Sequence, residues 1–324
     1  MKTLNNILLV SLLVVLLIFI SGEQGCDMGG QGNAQTTGID FNLISRDGML
    51  SSGQTLQQKQ TFHVGIGIQN YDLQSHNIEV CVRDDVPSQY SGIKEDGDCQ
   101  SVAIQQAEKK EVTTGSGFTS TSEQIQPATR EIFFPEDSYY SYSGLPDLNE
   151  NYKGKLFVSV RYPEVTRATA TVTIPSQEQP VITSDPAPIG ISLSKSNWPE
   201  GSIERINFDI TLKKQQDADI SLQDFSESSA NKSYFNAKLD DKQLDCTIAE
   251  NPITSNIIDF KDGMVIRCTT TMDNTNTQSH PFSIMMMYGV SINKEFTFNV
   301  QTKASGSSGQ GVPGAGGGGS SGAG

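Results

Sequence analysis

The sequence predicts an all-β protein: two tandem sandwich domains behind an N-terminal signal or anchor segment, followed by a Gly/Ser-rich tail. Three observations carry this. Residues 60–69, QTFHVGIGIQ, place Phe62, Val64, Ile66 and Ile68 on one face and His63, Gly65, Gly67 and Gln69 on the other, the period-2 alternation of a half-buried strand. Residues 204–213, ERINFDITLK, repeat the pattern with Ile206, Phe208, Ile210 and Leu212. Leu156 to Tyr162 aligns in phase with Phe282 to Tyr288, and the register continues without a gap to Ile174 over Val300. Two copies of one pattern imply two copies of one unit.

Size and composition agree. A chain of 324 residues has room for two ordinary domains. Its hydrophobic content of 35% is below the roughly 45–50% usual for compact proteins with Gly counted, as thin two-sheet cores and polar linkers would give. The net charge of -14 repels phosphate backbones, so nucleic acid is not an expected partner.

Residues 1–22 read as a signal peptide or signal anchor. Lys2 precedes the apolar run 7–20, which as a helix spans about 21 Å against a hydrocarbon core of about 30 Å. That length fits an export signal, with Ser21 and Gly22 as small residues for cleavage; the alternative is an uncleaved anchor. Either way the rest of the chain is expected outside the cytoplasm, at the cell surface, with the membrane as partner through this segment. Without an anchor it would be secreted.

Residues 23–36 are Gly- and Gln-rich and read as a tether. The first domain is expected over 37–175. It has strands near 39–44, 60–69, 77–83 and 131–134, a short helix over 105–112, an exposed loop over 113–122, and a closing hairpin, 155–162 and 167–174, turning at Pro163–Thr166. The stretch from Pro175 to Pro188 holds four prolines, which favour extended conformations, so 176–188 reads as a semi-rigid linker. The second domain is expected over 189–303, closing on a hairpin that matches the first. Trp198, the sole tryptophan, is expected to cover an end of this sandwich. Residues 304–324 have no means of building a core and are expected to be disordered.

The five cysteines fit export. One pair falls in each expected domain, making Cys81–Cys99 and Cys246–Cys268 the natural bridges, although four cysteines allow three connectivities. Cys81 points away from the apolar face of its strand, so its bridge is expected outside the core. Cys268 shares the phase of Met264 and Ile266, so the second bridge is expected to cross the core. Cys26 follows the export segment and resembles the diacylglyceryl site of prokaryotic lipoproteins, except that Glu23 and Gln24 separate it from the run Ile20-Ser21-Gly22. Lipidation or a free or intermolecular thiol are its two readings.

The stretches GQTLQQKQTFHVGIGIQN (53–70) and KLFVSVRYPEVTRATATVTIP (155–175) combine a Gly turn, an alternating strand ending in Asn and a terminal hairpin. This pattern is similar to CARDB-like and other immunoglobulin-like modules of prokaryotic, especially archaeal, surface proteins. The resemblance implies tandem immunoglobulin-like β-sandwiches acting in adhesion, spacing or scaffolding, and it transfers no site residues.

Catalytic signals are nearly absent. His63, His76 and His280 are the only histidines, and no G-x-S-x-G, H-E-x-x-H or paired C-x-x-C occurs. Gly309, Gly311 and Gly314 spell G-x-G-x-x-G inside the tail, without a strand before or a helix after it. No enzyme is expected. Calcium is the reasonable ligand: Asp84, Asp85, Glu95, Asp96 and Asp98 flank one loop that a Cys81–Cys99 bridge draws together, and oxygen clusters suit calcium. The ordinary reading is a solvated acidic loop. Asp259 and Asp262 make a weaker case. Asn231-Lys232-Ser233 is the one N-glycosylation sequon. Tyr139, Tyr140 and Tyr142 read as packed aromatics or an adhesive patch.

The functional expectation is a non-enzymatic, membrane-tethered surface protein acting in adhesion or envelope structure, with other surface proteins or glycans as partners. The alternatives are a filament or pilus subunit joined through strand edges, and an exported cation- or glycan-binding protein.

Overall fold

Apolar–polar alternation runs through most of the chain, and strands form wherever it does. The computed structural model describes residues 37–90, 92–114, 120–146, 151–273 and 277–302. The expected signal segment, the tether with Cys26 and the tail lie outside them. The first half lays down β1 (Ile39–Leu43), β2 (Thr55–Gln57), β3 (Val64–Asn70), β4 (His76–Asp84), β5 (Asp98–Ile104), β6 (Glu108–Thr114), β7 (Ser120–Gln126), β8 (Ala128–Phe134) and β9 (Tyr152–Ile174). The second adds β10 (Ile182–Ser184), β11 (Ile189–Glu200), β12 (Ile203–Lys214), β13 (Asp219–Ser221), β14 (Lys232–Leu239), β15 (Lys242–Gln243), β16 (Asp245–Ile248), β17 (Asn251–Pro252), β18 (Ile257–Asp259), β19 (Met264–Asp273) and β20 (Gln278–Gln301).

The all-β class stands. β1-β3-β8 form one antiparallel sheet and β11-β12-β19-β16-β17 another. A ten-stranded sheet has the path β15-β14-β20-β9-β4-β5, onto which β2, β10, β13 and β18 add short pairings. Phe62, Val64, Ile66 and Ile68 are buried, as are Ile206, Phe208, Ile210 and Leu212. Phe208 of β12 meets Phe282 of β20 with ring centroids 4.7 Å apart, joining the five-stranded sheet to the large one. In the other half Tyr142 stacks between Phe62 and Phe298 at 5.2 and 5.6 Å. Tyr140 and Tyr142 are thus packed, while Tyr139 is exposed.

The two closing hairpins do not form. β9 runs straight through Pro163–Thr166 for 23 residues, and β20 is likewise continuous. The two pair with each other from Tyr152↔Val300 to Ile174↔Gln278. The reason is visible in the phase. Leu156, Val158, Val160 and Tyr162 are followed inward by Glu164, Thr166, Ala168, Ala170, Val172 and Ile174, all buried, so alternation never breaks. Pro163 has no N–H for a ladder. On the edge of β9 away from β20, β4 pairs only as far as Arg161 and β10 begins at Ala168. The proline sits in the gap between them.

The expected separation into 37–175 and 189–303 is therefore not how the chain divides in space. β9 and β20 thread both halves, the described residues form one compact unit, and β2 pairs in parallel with the last residues of β20. The linker is not a free spacer either. Ile182–Ser184 docks on β9 as β10, and the Gln179 side chain exchanges hydrogen bonds with the Lys195 backbone at 2.9 Å.

Three local expectations also change. Residues 105–112 are not helical and 113–122 is not simply a loop, because β6 pairs with β7 as an isolated hairpin that satisfies its backbone. Trp198 is exposed: it lies on β11, an edge strand, opposite Arg205, because β11 continues past it to Glu200 and turns only at Gly201-Ser202. Finally, Cys246 and Cys268 are bonded but face each other on neighbouring strands of one sheet. The bridge lies in the core without crossing it. Cys81 and Cys99 are bonded across β4 and β5, with Cys99 exposed as expected.

Candidate functional site

Where β9 is left without a neighbour, the β3–β4 loop packs against it and brings three ionisable side chains together. The loop is built by Asn70, which is fully buried. Its Oδ1 accepts the Asp72 N–H at 2.9 Å, and its Nδ2 donates to the carbonyls of Gln74 and Gln105, both at 2.8 Å. The Gln74 amide in turn donates to Val165 O at 3.2 Å. Gly38 (φ +76) approaches so closely that an added Cβ would lie 3.0 Å from Tyr162 Oη, and its N–H donates to Asp72 Oδ1 at 3.1 Å.

These contacts commit one Asp72 oxygen and turn the other inward. His76 Nε2 lies 3.1 Å from Asp72 Oδ2 and 3.5 Å from Glu164 Oε2. The three donor atoms fall within 4.8 Å of one another. Asp72 and Glu164 are 1% exposed and His76 6%. Glu164 Oε1 accepts the Val165 N–H at 2.9 Å, whereas Oε2 has no hydrogen-bond donor. Tyr162 meets the His76 ring edge-on at 5.0 Å, and Thr166 Oγ1 and Tyr288 Oη are 2.7 Å apart.

Burial, and then the Asp72 carboxylate, push the Glu164 carboxyl well above its usual range. Tyr162 and Tyr288 are also held far above the ordinary phenol value, first by burial and then by the neighbouring carboxylates, so both stay neutral. Two carboxyls beside one imidazole form a cation or proton site: they either share a proton or surround a positive charge. The cluster offers almost no accessible surface.

The residues expected around calcium have other employment. Asp84 accepts from Val86 N at 3.0 Å, Ile93 N at 3.2 Å and Tyr142 Oη at 2.7 Å. Asp98 accepts from Tyr140 Oη at 2.7 Å and Asp85 from Lys155 N at 2.7 Å. Glu95 and Asp96 are exposed. The five are not gathered: among the described residues, Asp72, His76 and Glu164 are the one acidic or histidine group close enough to share an ion. Asp262 caps Lys214 N at 2.7 Å, and Asp259 pairs with Lys232 in a strand. Asn231 is exposed in a left-handed turn (φ 58), while Ser233 of the same sequon is fully buried. His63 is half-buried and His280 bonds Asp240 at 2.6 Å.

Nothing local in the sequence marks Asp72, His76 and Glu164 as a group. The expected hairpin turn at Pro163–Thr166 hides Glu164, and His76 stands out only as one of three histidines. One signal was present: Glu164 and Thr166 keep the inward phase of β9, and a carboxylate on an inward face needs a partner.

No family model matches this chain, and no curated protein matches it. Among solved structures it is similar to a DUF4466 family protein from Parabacteroides merdae, at 9% identity over 78% of this chain and 99% of that one, with a TM-score of 0.15. A likeness of that degree carries no argument here.

Proposed function

We propose that this chain is a non-enzymatic surface protein, tethered to the membrane through its N-terminal segment, that serves as a rigid spacer or scaffold in adhesion or envelope structure. The observation that carries the reading is the continuous pairing of β9 with β20. A ladder of 23 residues extends for about 75 Å at 3.3 Å per residue, and both sandwich halves are built on it. Bending between the halves would break that ladder, so the described body transmits force and holds distance. The two disulfides belong to an oxidising compartment, and the likeness to immunoglobulin-like surface modules points the same way.

The test is protease shaving of intact cells of the producing organism, combined with membrane fractionation. The reading expects the full-length chain in the membrane fraction and its β-rich body released from outside. A chain protected in intact cells and recovered in the cytosol would overturn it.

A further inference from the structure

We propose that Asp72, His76 and Glu164 form a structural site for one divalent transition-metal ion of the zinc type, which fastens the β3–β4 loop to the middle of β9. The inference is independent of the surface role proposed above. It starts from the donor set of one imidazole nitrogen and two carboxylate oxygens, on three side chains each buried by more than nine-tenths. Glu164 Oε2 supplies the second, independent observation: it is buried, receives no hydrogen bond, and faces His76 Nε2 at 3.5 Å. A buried oxygen without a donor is costly, and a cation placed among the three would satisfy it.

Distances select the class of ion. Donors held about 2.0–2.2 Å from a tetrahedral zinc are separated from one another by about 3.3–3.5 Å. The His76 Nε2 separations of 3.1 Å to Asp72 Oδ2 and 3.5 Å to Glu164 Oε2 lie close to that edge, all three atoms fall within 4.8 Å of one another, and a water would complete the fourth position. Calcium fits less well, since it takes about 6–8 oxygens and this set includes a nitrogen. The surroundings also orient the ligands as outer-shell partners do. The Gly38 N–H fixes Asp72, the Val165 N–H fixes Glu164, and the Tyr162 ring packs against the His76 ring at 5.0 Å.

The position gives the ion a role. Asp72 enters from the β3–β4 loop, His76 from the first position of β4, and Glu164 from β9 between the ends of the β4 and β10 ladders. A bound ion would bridge the stretch of β9 between Arg161 and Ala168, which has no second neighbouring strand. Because the donors are buried, it would load as the loop closes during folding.

The test uses the full chain with its disulfides intact, unfolded in denaturant with a chelator and refolded with or without one equivalent of zinc. The wild type is expected to retain about one zinc per chain through dialysis and to melt several degrees higher than the metal-free preparation. Glu164→Gln keeps the shape and removes the charge. It is expected to fold without metal, to bind zinc at least ~10-fold more weakly and to lose the melting shift. Cobalt in place of zinc gives a reading on the wild type alone: d–d absorption of a tetrahedral N/O site that zinc abolishes. Retention below ~0.1 zinc per chain with no shift and no cobalt bands would overturn the proposal. So would undiminished zinc binding by Glu164→Gln, which would place the metal elsewhere.

Discussion

Pro163 and Gly289 face each other in register at the middle of the two longest strands. Each is a residue that strand interiors usually avoid, and each fits here for a separate reason. Pro163 lies where the outer edge of β9 is unpaired. Gly289 is covered by the segment after β13, so that a Cβ on it would lie 2.6 Å from Phe225 Cε1 and 2.8 Å from Leu222 O. Leu222 O belongs to the backbone and yields little. Gly289→Ala is therefore expected to cost about 1–3 kcal/mol by overpacking, and Gly289→Val more. Urea unfolding checks this as a lowered midpoint with an unchanged slope; a midpoint equal to wild type would show that the covering segment is loose.

Phe282 sits on β20 against Phe208 of β12 and is 1% exposed. Phe282→Ala is expected to cost about 3–5 kcal/mol. Because β20 serves both halves, protection in native-state hydrogen exchange should fall for β4 in the first half as well as for β12 in the second. A loss confined to β12 would mean that the halves open separately.

The two disulfides differ in exposure. Cys99 is open to solvent, whereas Cys246 and Cys268 are 8% and 0% exposed. Under native conditions a mild thiol reductant followed by alkylation should label Cys81 and Cys99 first. Cys246 and Cys268 should react only when the protein unfolds, since exchange needs access to a sulfur. Mass spectrometry of the labelled peptides reads the order. Removing either bridge should lower stability by about 3 kcal/mol on the chain-entropy account.

Asp84 gives a pH dependence of definite sign. Burial raises its carboxyl from 3.8 to about 6, against the hydrogen bonds from Tyr142, Ile93 and Val86 that oppose the shift. The folded protein thus holds this proton more tightly than the unfolded chain. The contribution is complete below about pH 4 and is lost as pH rises through about 6. Relative to Asp84→Asn, the wild type should lose stability between pH 4 and 6, by at most about 3 kcal/mol. Midpoints measured across that window check it, and parallel curves for the two proteins would contradict it.

Much of the fold was legible because period-2 alternation reports directly which side chains face inward. The phases of β3 and β12 were readable from Phe62–Ile68 and Ile206–Leu212, and the fall of one cysteine pair in each expected domain made the two observed bridges the natural pairings among three. What alternation does not report is which strand lies beside which. β9 and β20 each resembled a hairpin folded on itself, and only their pairing across more than a hundred residues of chain reveals a shared sheet. Pro163 reinforced the misreading, because its local meaning as a turn former was weighed without knowing that β9 had an open edge there. The acidic loop near Cys99 drew attention through charge density, yet Asp84, Asp85 and Asp98 are occupied by local donors. Asp72 and His76 are four residues apart but stand far from Glu164 in the chain, so they meet only through the fold.

β9 and β20 make one body of the two halves. Differential scanning calorimetry of the full chain tests this most directly. It predicts a single transition whose calorimetric and van't Hoff enthalpies agree. Two resolved transitions, or a calorimetric enthalpy about twice the van't Hoff value, would contradict it.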